Sequence, residues 1–227
     1  MHLDPARQPP DAAPAASPAP RRTAVVIPVR ALEGAKSRLG AVLDAEERRE
    51  LVELLLCRTV SAARATAGVD LVAVISPDPD ALAAAADAGA EPIAQRSSGL
   101  NPGLAEARST LAGRADRLLV LPADLPCVAA AEIGQLLAAA DAASRDGHSV
   151  VALAPDRHGR GTNALVLDPP GIIEPAFGGD SRDAHARLAR AAGARYVEAD
   201  GILELDLDTP DDLLLVEATR PEALHVR

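Results

Sequence analysis

Two rhythms of apolar and polar residues alternate along the chain from residue 23 onward. Short runs rich in Val, Ile, Leu and Ala read as strands at 23–27, 71–75, 91–94, 118–121, 150–154, 164–167 and 195–197. Between them, apolar residues recur at helical spacing. Asp44, with Glu47 three positions on, has the form of an N-cap with its capping-box partner, and Leu51, Leu54, Leu55 and Val60 carry the helix it opens to about residue 65. The Pro-Asp-Pro-Asp turn at 77–80 starts a helix through residue 88. Further helices are predicted at 104–111, from 126 to about 143, and from about 181. A last one opens at Thr209, where Thr209 supplies an N-cap and Pro210 the first helical residue.

Strands and helices in alternation predict an α/β fold: one domain, residues 23–220, built on a doubly wound, mostly parallel sheet flanked by helices. Residues 1–22 contain six Pro and six Ala and read as a disordered tail, and residues 221–227 as a short C-terminal tail. In such sheets ligands bind at the carboxyl ends of the strands, where the winding reverses. With the first three strands wound one way and the fourth the other, the loops after strands one and four become neighbours.

Composition narrows the function. The 227 residues are 48% apolar, yet they include one Phe, one Tyr and no Trp, so the core is aliphatic and platforms for base stacking are missing. The net charge is −10, which repels phosphate polymers. Both features argue against nucleic acid as a partner. Cys57 and Cys127 fit neither a zinc nor a disulfide framework and read as buried small residues. No apolar run is long enough for a membrane span and no signal-like segment opens the chain, so a cytoplasmic protein without a membrane partner is expected.

The candidate chemistry lies in loops. The first runs from Pro28 to Leu39 and carries Arg30, Lys36 and Arg38. Of 23 basic residues Lys36 alone is Lys, which points to a need for a compact ammonium. The loop lacks the glycines of a Walker A or a G-x-G-x-x-G motif. After the fourth predicted strand, Asp124 stands between Pro122 and Pro126, which aim it at the sheet's carboxyl edge, where it could serve magnesium as a hard oxygen ligand or cap the following helix. Asp206 and Asp208 alternate in a predicted strand end and would face the same way. The chain's two Asn residues lie in Ser98-Gly99-Leu100-Asn101 and Gly161-Thr162-Asn163, and its only Phe opens Phe177-Gly178-Gly179-Asp180-Ser181. That glycine pair before a helix offers free N–H groups and a hydroxyl to an anion. His158 and His185 read as surface or capping residues more readily than as ligands.

In order along the chain, VIPVRALEGAKSRL, SSGLN, PADLP, GRGTNAL, FGGDS followed by His185, and DLDTPDDL resemble the phosphoenolpyruvate or 2-phospho-L-lactate guanylyltransferases of coenzyme F-420 biosynthesis. These are nucleotidyltransferases with a glycosyltransferase-A-like, nucleotide-diphospho-sugar transferase-like fold. The resemblance spans about residues 23–218. It implies GTP and a small phosphorylated carboxylic acid as partners, Mg2+ as cofactor, and pyrophosphate as a product. By position it implies that Lys36 and Arg38, with Pro28 and Arg30, hold the triphosphate, and that Ser98, Gly99 and Asn101 lie near the guanine. Asp124 with Asp206 or Asp208 would hold magnesium, and Lys36, Arg38 and Asp124 would be the catalytic set. Thr162, Asn163, Gly178, Gly179 and Ser181 would hold the acceptor. A homodimer is a state the sequence allows. The rival readings are a nucleotidyltransferase of the molybdenum-cofactor or sugar-phosphate type, which would open with a Gly-rich loop absent here, and a nucleotide-binding module without turnover.

Overall fold

The computed structural model describes residues 21–32 and 34–224. Seven strands form one sheet: β1 (Thr23–Pro28), β2 (Leu71–Ser76), β3 (Glu91–Ala94), β4 (Arg117–Val120), β5 (Val150–Pro155), β6 (Thr162–Asp168) and β7 (Arg195–Glu198). The helices are α1 (Ala45–Ala65), α2 (Pro79–Asp87), α3 (Leu100–Thr110), α4 (Ala130–Ser144), α5 (Ser181–Ala191) and α6 (Pro210–Thr219). Two 3-10 turns, Ser37–Ala41 and Pro221–Leu224, complete the described elements.

The strand order is β3-β2-β1-β4-β6-β5-β7. β1 lies between β2 and β4, parallel to both, so the winding reverses at the β1–β4 boundary as the strand pattern predicts. β6 alone runs against its neighbours, pairing antiparallel with β4 and β5. This reversal brings the beginning of β6, not its end, to the edge where the parallel strands finish.

Alternate residues feed opposite faces, the period of a strand. Val25, Ile27, Val72, Val74, Leu119 and Leu121 pack with residues of α1, α2 and α4; Ala24, Val26, Ala73, Ile75, Leu118 and Val120 pack with α3 and α5. The result is a three-layer fold with an aliphatic core on both faces of the sheet. Fully burying each Val or Leu there contributes about 1.5–3 kcal/mol. A smaller cluster of Leu39, Leu51, Leu55, Leu207 and Val216 fastens the first 3-10 turn and α6 to α1.

Asp44 caps α1 as predicted: its carboxylate accepts from the Glu46 and Glu47 amides, and Glu47 reaches back to the Asp44 amide. Elsewhere the structure differs from the pattern. Residues 205–208 are not a strand, because Pro122 and Pro126 strip their neighbour segment of ladder donors and only the Leu207 amide bonds across, to the Asp124 carbonyl at 2.9 Å. α3 starts at Leu100, earlier than its apolar spacing indicates, because Pro102 is tolerated in a first helical turn. Cys57 is exposed and Cys127 half-buried, both free thiols; helical phase turns Cys57 outward beside the buried Leu55 and Leu56. Of the predicted N-terminal tail, residues 1–20 lie outside the described residues, while Arg21 binds Ser144 and Asp168 and Arg22 binds Asp116. At the other end, Pro221–Leu224 is folded and buries Ala223, leaving only 225–227 undescribed. No described helix is long and apolar enough to cross a membrane.

Candidate active site

The β1 loop is held from below and open above. Val29 and Leu32 are buried in the core, the Val29 amide extends the sheet to the Ile75 carbonyl at 2.9 Å, and the Leu32 amide donates to the Asp78 carboxylate at 2.7 Å. Between these anchors and the buried Leu39, Gly34 (φ 71°) and Lys36 (φ 50°) take left-handed conformations. For a residue with a side chain this costs roughly 1–2 kcal/mol, so Lys36 is held where it is by its surroundings. Its ammonium lies 2.6 Å from the Asp208 carboxylate and 3.7 Å from that of Asp124. The loops after β1 and β4 are neighbours, as the reversal in winding requires. Arg30 and Arg38, on either side of Lys36, are exposed and have no protein partner among the described residues.

Two carboxylates, Asp124 and Asp208, converge on this single ammonium, and Asp206 lies within electrostatic reach of both. Burial pushes the Asp206 carboxyl above the usual carboxylate range, and the charges of Asp124 and Asp208 push it the same way. Leu205 and Leu207 turn into the apolar cluster beneath, so the Leu-Asp alternation survives without a strand. Among the described residues no three His, Cys, Asp or Glu side chains form a ready-made metal cage. Magnesium does not require one: it is commonly held by one or two carboxylates plus phosphate oxygens and water. The Lys36 ammonium is already matched by Asp124 and Asp208, with Asp206 close by, so an anionic ligand approaching these carboxylates would need a further cation there. The residues therefore fit magnesium.

Asp208 is itself held by a residue whose sequence signal was only that of a helix start. Asp212, 3% exposed, accepts from the amides of Asp208 (3.0 Å) and Thr209 (2.7 Å) and from the Thr209 hydroxyl (2.9 Å), and pairs with Arg157. Burial raises its carboxyl, but these hydrogen bonds outweigh burial and hold it below the usual range. Asn163, buried at the start of β6, donates to the carbonyls of Leu203 and Glu204, fixing the left-handed Leu203 just before the acidic segment.

On the far side, the loop 95–99 leads from β3 into α3. Gln95 donates to the carbonyls of Ser97 and Gly99, and Glu106 accepts from the Arg96 and Ser97 amides. A Cβ on Gly103 would come within 2.6 Å of Gln95, so α3 carries glycine there for close packing. Ser98 and Gly99 are exposed on this loop. The Asn101 amide grips one residue from both sides: its nitrogen donates to the Phe177 carbonyl (3.0 Å) and its oxygen accepts from the Phe177 amide (2.9 Å). The segment expected near the base is thereby fastened to the segment expected at the acceptor.

That second segment, 176–181, approaches the start of α5. Gly178 and Gly179 are exposed, and a Cβ on either would meet open space. Asp180 leaves the helix end uncapped and pairs with Arg160 instead, at 2.7 Å. Ser181 is buried in the first turn and His185 one turn on, wholly buried. Burial pushes the imidazole down to about pH 4, so it is neutral at physiological pH. Its Nε2 accepts from the Ala176 amide at 3.0 Å, its Nδ1 lies 3.1 Å from the Thr162 hydroxyl, and the Phe177 ring meets it edge-on at 5.2 Å. Arg182 ties α5 to the Gly159 carbonyl and to Glu198, which also accepts from Tyr196.

Every residue to which the resemblance gives a role thus lies at the end of the sheet where the parallel strands finish, or in the loops and helix starts beside it. Asn101 and Asn163 are there with their side-chain amides bonded to protein backbone, and the Thr162 hydroxyl has His185 as its one hydrogen-bond partner among the described residues. Asp212, Arg157, Glu106 and the firm placement of His185 were not foreseen; a buried acidic residue at the third helical position after Thr209 was the one signal available.

The matching family model is described as guanylyl transferase CofC like and covers residues 23–218. The phosphoenolpyruvate guanylyltransferase of Sphaerobacter thermophilus is 46% identical over 194 residues, 84% of this chain and 90% of its own. That of Rubrobacter xylanophilus is 43% identical over 197 residues, 86% and 93% of the two chains. Among solved structures, a Desulfovibrio desulfuricans protein assigned as a nucleotide-diphospho-sugar transferase superposes with a TM-score of 0.69 at 16% identity, covering 87% of each chain. That likeness concerns the fold.

Proposed function

Because this chain belongs to the CofC-like guanylyl transferase family and is a nucleotidyltransferase, we propose that it joins GMP from GTP to phosphoenolpyruvate or 2-phospho-L-lactate, releasing pyrophosphate, as a step of coenzyme F-420 biosynthesis. The observation that carries the site assignment is the Lys36 ammonium set between Asp124 and Asp208 at the winding reversal, with the exposed Arg30 and Arg38 in the same loop.

An oxygen of the acceptor's phosphate forms a bond to the α-phosphorus of GTP while the bond from that phosphorus to the β-phosphate bridge breaks, and pyrophosphate leaves with the electron pair. The second pKa of a phosphate monoester is about 6, so this nucleophile is already largely anionic at neutral pH and needs no general base. What the step needs is alignment and neutralisation of charge. Lys36 supplies a fixed cation beside the triphosphate, and Arg30 and Arg38 close on its outer phosphates. Asp124 and Asp208, with Asp206 beside them, would hold Mg2+, which supplies charge neutralisation on the phosphates. Ser98 and Gly99 face the base. Gly178, Gly179, Ser181 and the Thr162 hydroxyl face the acceptor's carboxylate and phosphate, while Asn101 and Asn163 position the loops that do so.

The test is pyrophosphate release with GTP, ATP and CTP, each offered with phosphoenolpyruvate, 2-phospho-L-lactate and 3-phospho-D-glycerate in the presence of magnesium. Turnover confined to GTP with one of the first two acceptors is expected. Equal turnover with CTP or ATP would reject the guanine assignment, and silence with every pair would favour a binding module.

A further inference from the structure

We propose that His185 is a positioning residue that fixes the Thr162 hydroxyl as a hydrogen-bond donor aimed at an anionic oxygen of the acceptor. The proposal rests on the acceptor assignment above.

The direction follows from counting protons. An amide N–H can only donate, so the Ala176 amide, 3.0 Å from Nε2, requires a lone pair on that nitrogen. A neutral imidazole has one ring proton, which therefore sits on Nδ1. Nδ1 lies 3.1 Å from the Thr162 oxygen, so the ring donates and the hydroxyl accepts. The opposite arrangement would need a proton on Nε2 facing the Ala176 proton, two donors with no acceptor between them. Thr162 then keeps its own proton, and no acceptor for it exists among the described residues. That proton is left to a ligand. A hydroxyl that both accepts from a ring N–H and donates onward is also polarised by the chain of bonds.

The surroundings enforce the arrangement. His185 is 0% exposed and Thr162 7%. The Phe177 ring packs edge-on against the imidazole, and the Asn101 amide pins the Phe177 backbone, so the ring has little room to flip. Ser181, four residues before His185, lies on the same face of α5 and stacks above it toward the helix start. The groups assigned to the acceptor, the start of α5, Ser181 and the Thr162 hydroxyl, thereby share one support.

The test has three arms. Wild-type protein is first assayed for pyrophosphate release from GTP with phosphoenolpyruvate; silence there rejects the functional reading itself. The ring-nitrogen shifts of His185 are then read by 15N NMR on wild-type protein without ligand. The Nδ1-protonated tautomer is expected, and an Nε2-protonated ring would overturn the proposal even where variants fail to fold. Third, in His185→Gln, whose amide oxygen can still accept from Ala176, the acceptor KM should rise about tenfold or more while the GTP KM stays within about twofold, the scale of a lost hydrogen bond to a charged group. In Thr162→Val the same His185→Gln change should have no further effect on the acceptor KM, whereas Thr162→Ser should retain most of the wild-type value. An unchanged acceptor KM in His185→Gln, or an equal further loss in the Thr162→Val background, would overturn it.

Discussion

His185 should make the fold sensitive to acid in a window set by its own environment. No charged group contributes to its shift; burial alone lowers the imidazole from near 6.5 to about 4. Its two nitrogens face an amide N–H and a hydroxyl, so a second proton has nowhere favourable to go. Above pH 6.5 the ring is neutral in both folded and unfolded chains and its contribution is constant. Between pH 6.5 and 4 the unfolded chain takes up a proton that the folded chain refuses, so stability falls with falling pH at about 1.4 kcal/mol per unit. Over that window the loss sums to about 3 kcal/mol, after which both states are protonated and it levels off. The assay is urea unfolding of wild type and His185→Gln at matched pH values from 7.5 to about 4. The variant should be less stable at pH 7, and the gap should close as the pH falls, because only the wild type carries the titration. Other carboxyls, including the raised Asp206, titrate in both proteins and cancel in the difference. A gap that stays constant within about 0.5 kcal/mol down to pH 4.5 would refute the assignment of a buried neutral imidazole.

Lys36→Ala and Asp124→Ala should each lower kcat by at least about 100-fold with the fold intact, the loss typical of removing one electrostatic stabiliser. Lys36→Arg should recover little, since a guanidinium would pair bidentately with one carboxylate and would not place a compact charge at the ammonium's position; steady-state pyrophosphate release together with circular dichroism checks all three. Asp212→Ala removes the reciprocal half of the α6 capping box and frees the Asp208 amide, so it should cost about 2 kcal/mol in chemical denaturation and lower turnover as well, with Asp212→Asn intermediate in both. Arg117 is a control far from the site. Removing the side chain that spans Asp141 and the buried Asp168 should cost about 3 kcal/mol of stability while leaving the KM values of the surviving folded protein unchanged.

How much was legible depended on where the information resides. The strands were written in short continuous apolar runs, and the capping box at Asp44 placed the start of α1 to the residue, because both signals lie within a few positions. The meeting of Lys36 with Asp124 followed from a single topological rule applied to β1 and β4. The reversed direction of β6 was not written locally, since an apolar strand reads the same in either sense; only its partners fix it. The same holds for Asn101, Asn163 and Asp212, whose amides and carboxylate bond to backbone groups 76, 40 and three or four residues away. Cys57 failed for a simpler reason: residue type was weighed without helical phase. The strand expected at 205–208 failed because its partner segment carries prolines.

The antiparallel course of β6 divides the ligand-binding edge into two territories. The residues assigned to GTP itself, with Asp124, come from loops of β1, β3 and β4, to which the segment of Asp206 and Asp208 returns after β7, while Thr162 and the approach to α5 come from the half beyond the β4–β6 seam. The acceptor half is nearly contiguous in the chain, about residues 155–181, and is stitched to α3 by the grip of Asn101 on Phe177 and by Arg108, which donates to the Ile173 carbonyl and pairs with Glu174. An exchange of that segment between relatives would therefore alter which acid is taken without rewriting the machinery for the nucleotide, provided the Asn101 grip is carried across. A fold with this seam can diversify its second substrate one segment at a time.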